Sequence, residues 1–432
     1  MYKVSFSEMD LTNKDVVIKF ISNIDNFSYV ILPDDSIKYN NVIDFVVEEN
    51  GEYKFVVYDK VGNSIDYFID VTNIDKVAPT ISYCDAVIDG DKTIISFNSN
   101  DDDLAKYVID DEIVLSTDKK KYVINGVVGT VKVSAYDKLD NKSSISCNSY
   151  YEQIKPTNSS DVVYNESTST LKVWIEHIDR IGDRTSFYTS HIWVRDAYKQ
   201  FKMQVPDNFG EELIRANDLL GNAIKQNGYQ DKLIIAVNGS GFAKKGVWWD
   251  NFIESNEFFD KTSLSPLVLV DGVVKRDLST SNLPVSTHPV YGLNRNGELV
   301  YYNYLGGNEN WEYNKRVTEQ IIKDGVLNTF SFKPVLVENG KLKVTTPEEN
   351  IRQAICQIDK NNFIFISDVF TESRAGFSFN ELGNYMISLG CKTGFNIDGG
   401  GSTSLLLKRA NENSFAITGN TRRIADIIYF HE

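Results

Sequence analysis

The 432 residues carry 45 Lys and Arg against 60 Asp and Glu, a formal net charge of -15. With no cluster of basic residues, nucleic acid and anionic membrane surfaces are excluded as partners, and an anionic substrate would need a local pocket of arginines. Hydrophobic residues at 42% and aromatics at 12% suffice for β-rich packed cores, and the length suits about three domains of ~100–200 residues.

The N-terminal stretch Met1 to Glu8 has no apolar segment of the kind a signal peptide requires. No apolar run approaches the ~18 residues that span a bilayer, so membrane insertion is not expected. Residues 1–78 then alternate β-rich runs with polar turns: Val16 to Phe20, Ile43 to Val47, Tyr53 to Val57. This is the spacing of a small antiparallel sandwich. Tyr58-Asp59-Lys60-Val61-Gly62-Asn63 returns as Tyr136-Asp137-Lys138-Leu139-Asp140-Asn141, and Ala78-Pro79-Thr80 is echoed by Lys155-Pro156-Thr157. Two copies of one module are predicted, over 1–78 and 79–156, each closed by a proline linker.

Four cysteines, Cys84, Cys147, Cys356 and Cys391, are too few and too scattered for a disulfide scaffold, and none stands in a CxxC pair. Cys84 and Cys147 lie near the two ends of the second module, where pairing across it is open. Isolated buried thiols are the expectation. His177, His191, His288 and His431 form no ligand-spaced pair, so zinc is not expected. An oxygen-ligated Ca2+ is compatible with so many Asp and Asn, with no site that can be named; no other cofactor is expected.

From residue 157 to 432 strands mix with helices, and a third domain with a mixed sheet is predicted. Gly210 to Asn227 places Leu213, Ile214, Leu219, Leu220, Ala223 and Ile224 near one helical stripe, and Gly228 ends it. The strand Leu233 to Val237 delivers Asn238-Gly239-Ser240-Gly241-Phe242, an apolar strand opening into a glycine turn. Trp248 and Trp249 follow, as sugar-stacking platforms or, more simply, as packing. Lys333 to Lys341 reads as strand plus turn, and Arg352-Gln353-Ala354-Ile355 starts another strand.

Phe363 to Asp368 is an apolar strand ending in Asp. Ser378 with Glu381 is a capping box for a helix carrying Leu382, Met386 and Leu389 and stopped by Gly390. The strand Thr393 to Ile397 then runs into Asp398-Gly399-Gly400-Gly401-Ser402-Thr403-Ser404 and the apolar run Leu405 to Leu407. Taken alone, Asp-Gly between apolar runs signals a hairpin; successive glycines equally let backbone N–H groups close on a ligand. If the strands before and after the helix pair in parallel, Asp368 and Asp398 reach the same sheet edge. Near the end, Arg422-Arg423-Ile424-Ala425-Asp426 leads into a last strand. Arg352 and Arg422 each stand at the entrance of an apolar strand, where a solvated strand end or surface ion pair is the ordinary role.

The N-terminal modules resemble bacterial immunoglobulin-like modules of surface proteins, carried by Gly51-Glu52-Tyr53-Lys54-Phe55, Tyr58 to Asn63 and Ile74 to Pro79. Such modules act as spacers or binding arms, and spacer is preferred here. The C-terminal part, over roughly 160–432, resembles the phosphodiester glycosidase family. The likeness is carried in order by Asn238 to Phe242, Pro334 to Lys341, Arg352 to Ile355, Asp368, Asn396 to Thr403 and Arg422 to Asp426. The family's Asn-Gly-Gly-Phe-Phe, Arg-Thr-Ala-Ile-Gly and Arg-Pro-Val stretches are altered at Ser240-Gly241, Gln353 with Cys356, and Arg423-Ile424. Which of Arg422 and Arg423 faces the site is therefore open.

The resemblance implies hydrolysis of a sugar-1-phosphodiester such as a GlcNAc-1-phosphodiester, in two immunoglobulin-like sandwiches followed by an α+β or α/β mixed-sheet catalytic domain. Asp398, Arg352 and Asp368 are the expected catalytic residues. Asn238, Gly239, Gly399, Gly400, Gly401, Ser402, Thr403 and Arg422 are the expected substrate contacts, the two arginines clamping the phosphate. A phosphate-containing glycan of a bacterial surface is the expected partner, met outside the cell or on a virion. Two rivals share these residues: a non-catalytic carbohydrate-binding adhesin or phage receptor-binding component, and a phosphodiesterase that cleaves P–O.

Overall fold

Alternating apolar and polar residues place alternate side chains on opposite faces of a strand, and one face must then be buried. Val16–Ser22 does this with Val16, Ile18 and Phe20 buried. The structure, a computed structural model, describes residues 2–156, 158–180, 185–242, 263–279, 287–369, 376–412, 415–419 and 422–432. Trp248 and Trp249 lie outside the described residues. The chain divides into two units, Met1–Ser149 and Tyr150–Glu432. The division falls ahead of the proline at 156 because main-chain groups of Tyr151, Glu152 and Ile154 bond to the side chains of Asn361 and Asn362. Among the described residues no helix is long and apolar enough to cross a membrane.

The first unit is all β and holds two separate cores. A three-stranded and a four-stranded sheet close on Val16, Ile18, Phe20, Val30, Phe55 and Val57. A seven-stranded ladder encloses Ala86, Ile95, Phe97, Tyr107, Val131 and Val133. The repeated motif is a turn device. Asp59 Oδ1 accepts from the N–H groups of Val61 and Asn63, and Asp59 Oδ2 from Asn63 Nδ2. Asp137 repeats each bond with Leu139 and Asn141. Asp and Asn four apart thus tie a hairpin end shut through side-chain mimicry of a turn, which is structure and not chemistry.

The cysteines depart from expectation. Cys84 and Cys147 stand on neighbouring strands, Ile81–Asp89 and Lys142–Tyr151, and form a disulfide with Cα atoms 6.0 Å apart. Cys356 and Cys391 form another, Cα atoms 5.8 Å apart. The thiols are not isolated because sheet pairing, invisible in the spacing, brings each to its partner.

The second unit stacks two sheets between two helices. The elements needed here are β1 (Val162–Ser167), β2 (Leu171–Arg180), β3 (Thr185–Val194), β4 (Phe201–Gln204), α1 (Ala216–Asn227) and β5 (Ile234–Asn238). They continue with β6 (Val335–Glu338), β7 (Lys341–Leu342), β8 (Gln353–Gln357), β9 (Asn362–Asp368), α2 (Phe379–Ser388), β10 (Thr393–Ile397), β11 (Leu405–Lys408), β12 (Ala416–Thr418) and β13 (Ile427–His431). The first sheet runs β1-β2-β3-β9-β8-β10-β6-β7 and the second β4-β13-β5-β11-β12. Every described pairing within them is antiparallel.

Residue parity explains the layers. Ile235 and Val237 of β5 face the core between the sheets, with Leu405, Leu407, Phe395, Ile397, Phe365 and Phe430. Ile234 and Ala236 face the other way, onto Leu219, Leu220 and Ala223 of α1. Leu382 and Met386 of α2 cover the outer face of the first sheet over Ala354, Ile364 and Ile366. α1 starts at Ala216, six residues after Gly210, because Ile214–Arg215 pairs as a strand with Arg423–Ile424. It ends on Gly228, whose φ of 70° is the left-handed conformation that glycine adopts without a Cβ penalty. α2 carries the complete capping box of Ser378 and Glu381.

The structure decides two points that the sequence left open at the site. β9 and β10 do not pair; β8 lies between them, antiparallel to both, so they run parallel one strand apart. Asp368 and Asp398 still emerge at one edge, beside Arg352 at the start of β8. The Asp398 turn is no hairpin: β10 belongs to the first sheet and β11 to the second, and the glycines carry the chain from one sheet to the other.

Candidate active site

The site lies where both sheets end together. Gln353 pairs with Ser367 on one side and Ile397 on the other, so the next residues out are Arg352, Asp368 and Asp398. In the second sheet Asn238 pairs with Ile427, and Asp426 and Ser404 are one step beyond the strands. Side chains stitch the two edges. Asn238 Nδ2 donates to the carbonyl of Asp398 at 2.7 Å, and its Oδ1 accepts from the N–H of Ser404 at 2.9 Å. Gln353 Nε2 donates to Ser367 Oγ and to the carbonyl of Ser404. The Asp398–Ser404 turn is therefore clamped at both ends, with Asn238 as the clamp.

The glycines are there for close approach. A Cβ on Gly399 would lie 2.4 Å from the carbonyl oxygen of Ile351, and the N–H of Gly400 donates to that oxygen at 2.9 Å. A Cβ on Gly401 would lie 2.7 Å from Nη2 of Arg422. The Arg422 guanidinium thus rests on bare backbone, and its Nη1 stands 3.5 Å from Ser402 Oγ. Ser402 is buried, and its hydroxyl is near enough to the Asp398 carboxylate to favour the anion. Arg423 turns away and donates to the carbonyl of Leu213. Arg422 is the arginine at the site.

Asp398 keeps part of its surface open to solvent, yet the protein around its carboxylate is dense. Burial pushes its pKa up to about 7; Ser402 and Arg422 oppose the rise, and Asp426 adds to it. Asp426 has no exposed surface. Its Oδ1 accepts from the N–H of Ser240 at 2.7 Å, and burial raises it to about 6 against the pull of the Ser240 N–H and hydroxyl, of Arg276 and of the Gly239 N–H. Arg276, on the strand Val273–Asp277, sends its guanidinium to the carbonyls of Ser263 and Ser265.

The other expected residues take different positions. Asp368 is buried, and its Oδ2 accepts from the N–H of Arg352 at 2.8 Å while its own N–H returns to the carbonyl of Arg352. It locks the start of β8. The Arg352 guanidinium lies over the Phe379 ring at 3.9 Å and donates to the carbonyls of Phe377 and Glu348. Thr403 is buried, with no partner for its hydroxyl among the described residues. Asp426, Ser240 and Arg276 were not singled out from sequence. Asp426 carried a signal, being an Asp at a strand terminus like Asp368 and Asp398; Arg276, inside an ordinary alternating strand, carried none.

Among the described residues, one group of carboxylates has its ligand atoms all within 4.8 Å: Asp75, Asp103 and Asp137, in the first unit. It is remote in sequence from these residues, and Asp137 has both oxygens engaged by its own turn.

Residues 231–431 match the sequence model of the family described as Phosphodiester glycosidase. No curated protein matches the chain. Among solved structures it is similar to the catalytic domain of zebrafish N-acetylglucosamine-1-phosphodiester alpha-N-acetylglucosaminidase, auto-inhibited by its pro-peptide. That likeness has 14% identity and a TM-score of 0.41, over 71% of this chain and 89% of that one. A hypothetical protein from Synechocystis is similar at 9% identity and a TM-score of 0.41, over 99% of this chain and 97% of its own. A putative exported protein from Burkholderia pseudomallei is similar at 10% identity and a TM-score of 0.34, over 57% of this chain and 74% of its own.

Proposed function

We propose that the phosphodiester glycosidase domain matched over residues 231–431 hydrolyses sugar-1-phosphodiesters of the GlcNAc-1-phosphate type, on phosphate-containing glycans of a bacterial surface. One observation carries the reading: a carboxyl group poised near neutrality, Asp398, stands behind the hydroxyl that an arginine on bare glycine backbone also reaches. Arginine stays charged and offers a planar fork to phosphate oxygens. A phosphomonoester is already a fair leaving group, so charge stabilisation outweighs strong acid assistance.

In this reading the C1–O bond breaks, its electron pair leaves with the phosphate, and Arg422 with Arg352 holds that charge. The Asp398 anion faces the oxocarbenium-like carbon, and water supplies the new hydroxyl of the free sugar. Within the turn the N–H groups of Gly400 and Ser402 are taken by the carbonyls of Ile351 and Gly399, so the Gly401 N–H is the one offered to the same oxygens, and Asn238 keeps the turn in place. Two disulfides suit a protein working in an oxidising compartment, which supports a place outside the cytosol.

The test is an aryl diester of α-GlcNAc-1-phosphate, with wild type and Asp398→Asn compared and products resolved by mass spectrometry. Free GlcNAc and aryl phosphate, lost in the variant, are expected. GlcNAc-1-phosphate would make the enzyme a P–O phosphodiesterase, and glycan binding without turnover would make the domain a binding head.

A further inference from the structure

Gly239 lies between two aspartates. Its carbonyl accepts from the N–H of Asp398 at 3.1 Å, and its own N–H donates to the carbonyl of Asp426 at 3.3 Å. A Cβ on Gly239 would lie 2.6 Å from Asp426 Oδ1, so the residue is glycine where the buried carboxylate presses on the turn. Asp426 Oδ1 is held by Ser240, whereas Oδ2 is buried with no hydrogen-bond partner among the described residues. A carboxylate placed so is costly to keep charged, and nothing in the turn's architecture needs its second oxygen.

We propose that Asp426 is a positioning residue of this site: held behind the Asn238–Gly239–Ser240 turn, its carboxylate acts through Asp398 and sets the pH at which Asp398 becomes the anion that the reaction uses. This rests on the reading of Asp398 as the reacting carboxylate. The charged groups around the pair are few. Arg422 and the Ser402 hydroxyl favour the Asp398 anion, and Asp426 opposes it. Arg276 and the N–H groups of Gly239 and Ser240 favour the Asp426 anion. At the edge of the first sheet Asp368 is engaged by the Arg352 N–H, and the Arg352 guanidinium by Phe377, Glu348 and the Phe379 ring. Like charges in one site cannot both form freely, so the Asp426 anion raises the midpoint of Asp398.

Asp426→Asn keeps an oxygen for the Ser240 N–H and removes the charge. Two readouts are made on the full chain: the pH profile of kcat/KM with the aryl diester, and a carbon-13 titration of labelled aspartate carboxyls, with Asp398 identified by its loss in Asp398→Asn. The rising limb of the profile and the Asp398 signal are both expected to move down by at least about one pH unit in Asp426→Asn, about a tenfold gain in relative activity on the acid side. An unmoved Asp398 midpoint, with kcat lowered equally at every pH, would overturn the proposal and leave Asp426 as scaffold. A shifted Asp398 signal in a protein that turns over no diester would uphold the coupling while removing the glycosidase reading. Should Asp426→Asn fail to fold, Asp426→Ser, which also removes the charge and keeps an oxygen, is measured with the same two readouts, and a static Asp398 midpoint in it overturns the proposal.

Discussion

Two glycines of one turn separate packing from chemistry at the level of single residues. An alanine Cβ at Gly399 meets the main-chain carbonyl of Ile351, which cannot yield without moving β8. Gly399→Ala is expected to destabilise the domain by about 1–3 kcal/mol, read by thermal or urea unfolding. At Gly401 the same methyl meets the far end of Arg422, a flexible side chain that can swing away. Gly401→Ala is expected to unfold where wild type does but to lose at least about tenfold in kcat/KM, because the guanidinium is displaced from Ser402. Arg352→Ala is likewise expected to lose at least about tenfold, or ~1.4 kcal/mol of transition-state stabilisation. Wild-type kinetics in that variant would remove Arg352 from the phosphate clamp.

Asp426 also makes a stability statement. Its carboxyl titrates at about 6 in the folded protein against an ordinary 3.8. A raised folded-state value means that its stability contribution is complete below 3.8 and is lost as pH rises through about 6. The anion at pH 8 therefore weakens the fold, on the order of 2–3 kcal/mol for a fully buried group. Asp426→Asn should gain in Tm relative to wild type between pH 4 and pH 8, and a constant difference across that range would contradict the burial argument. Such a cost at a functional site is a familiar exchange of stability for reactivity.

At the level of elements, the helix between β9 and β10 holds the active edge together. α2 crosses the outer face of the first sheet, and its start packs where Arg352 lies over Phe379. Ser378→Ala removes the hydroxyl that accepts from the Glu381 N–H and is expected to cost about 1 kcal/mol, seen as a lower unfolding midpoint at unchanged m-value. This element was legible residue by residue, since its cap, apolar spacing and terminal Gly390 are local signals. The strand pairing was not. The sequence order β9-α2-β10 suggests direct parallel neighbours, but β8, which precedes β9 in the chain, inserts between them. No local preference records which strand a given edge will accept.

For the whole molecule, the second unit's buried clusters contain no residue before 150. Residues 150–432 alone are expected to fold cooperatively and to keep the kcat of the full chain on a small diester, while the first unit is dispensable for chemistry. Aggregation of that fragment, or loss of its activity, would show that the sandwich modules do more than space the enzyme.

Legible from the chain alone were the β character of the first unit, the repeated Asp–Asn turn, the helix caps and the strand-end aspartates, because these rest on periodicity and on hydrogen bonds between residues a few positions apart. The chain also brought Asp398, Arg352 and Arg422 forward as one constellation. Folding in three dimensions was needed to show that Arg422 and not Arg423 meets the glycine turn, that Asp368 is taken up by the Arg352 backbone, that Asn238 clamps the turn, and that Asp426 stands behind Asp398. Each of those outcomes joins residues far apart in the chain across the seam of two sheets, and is set by which faces must be buried against each other.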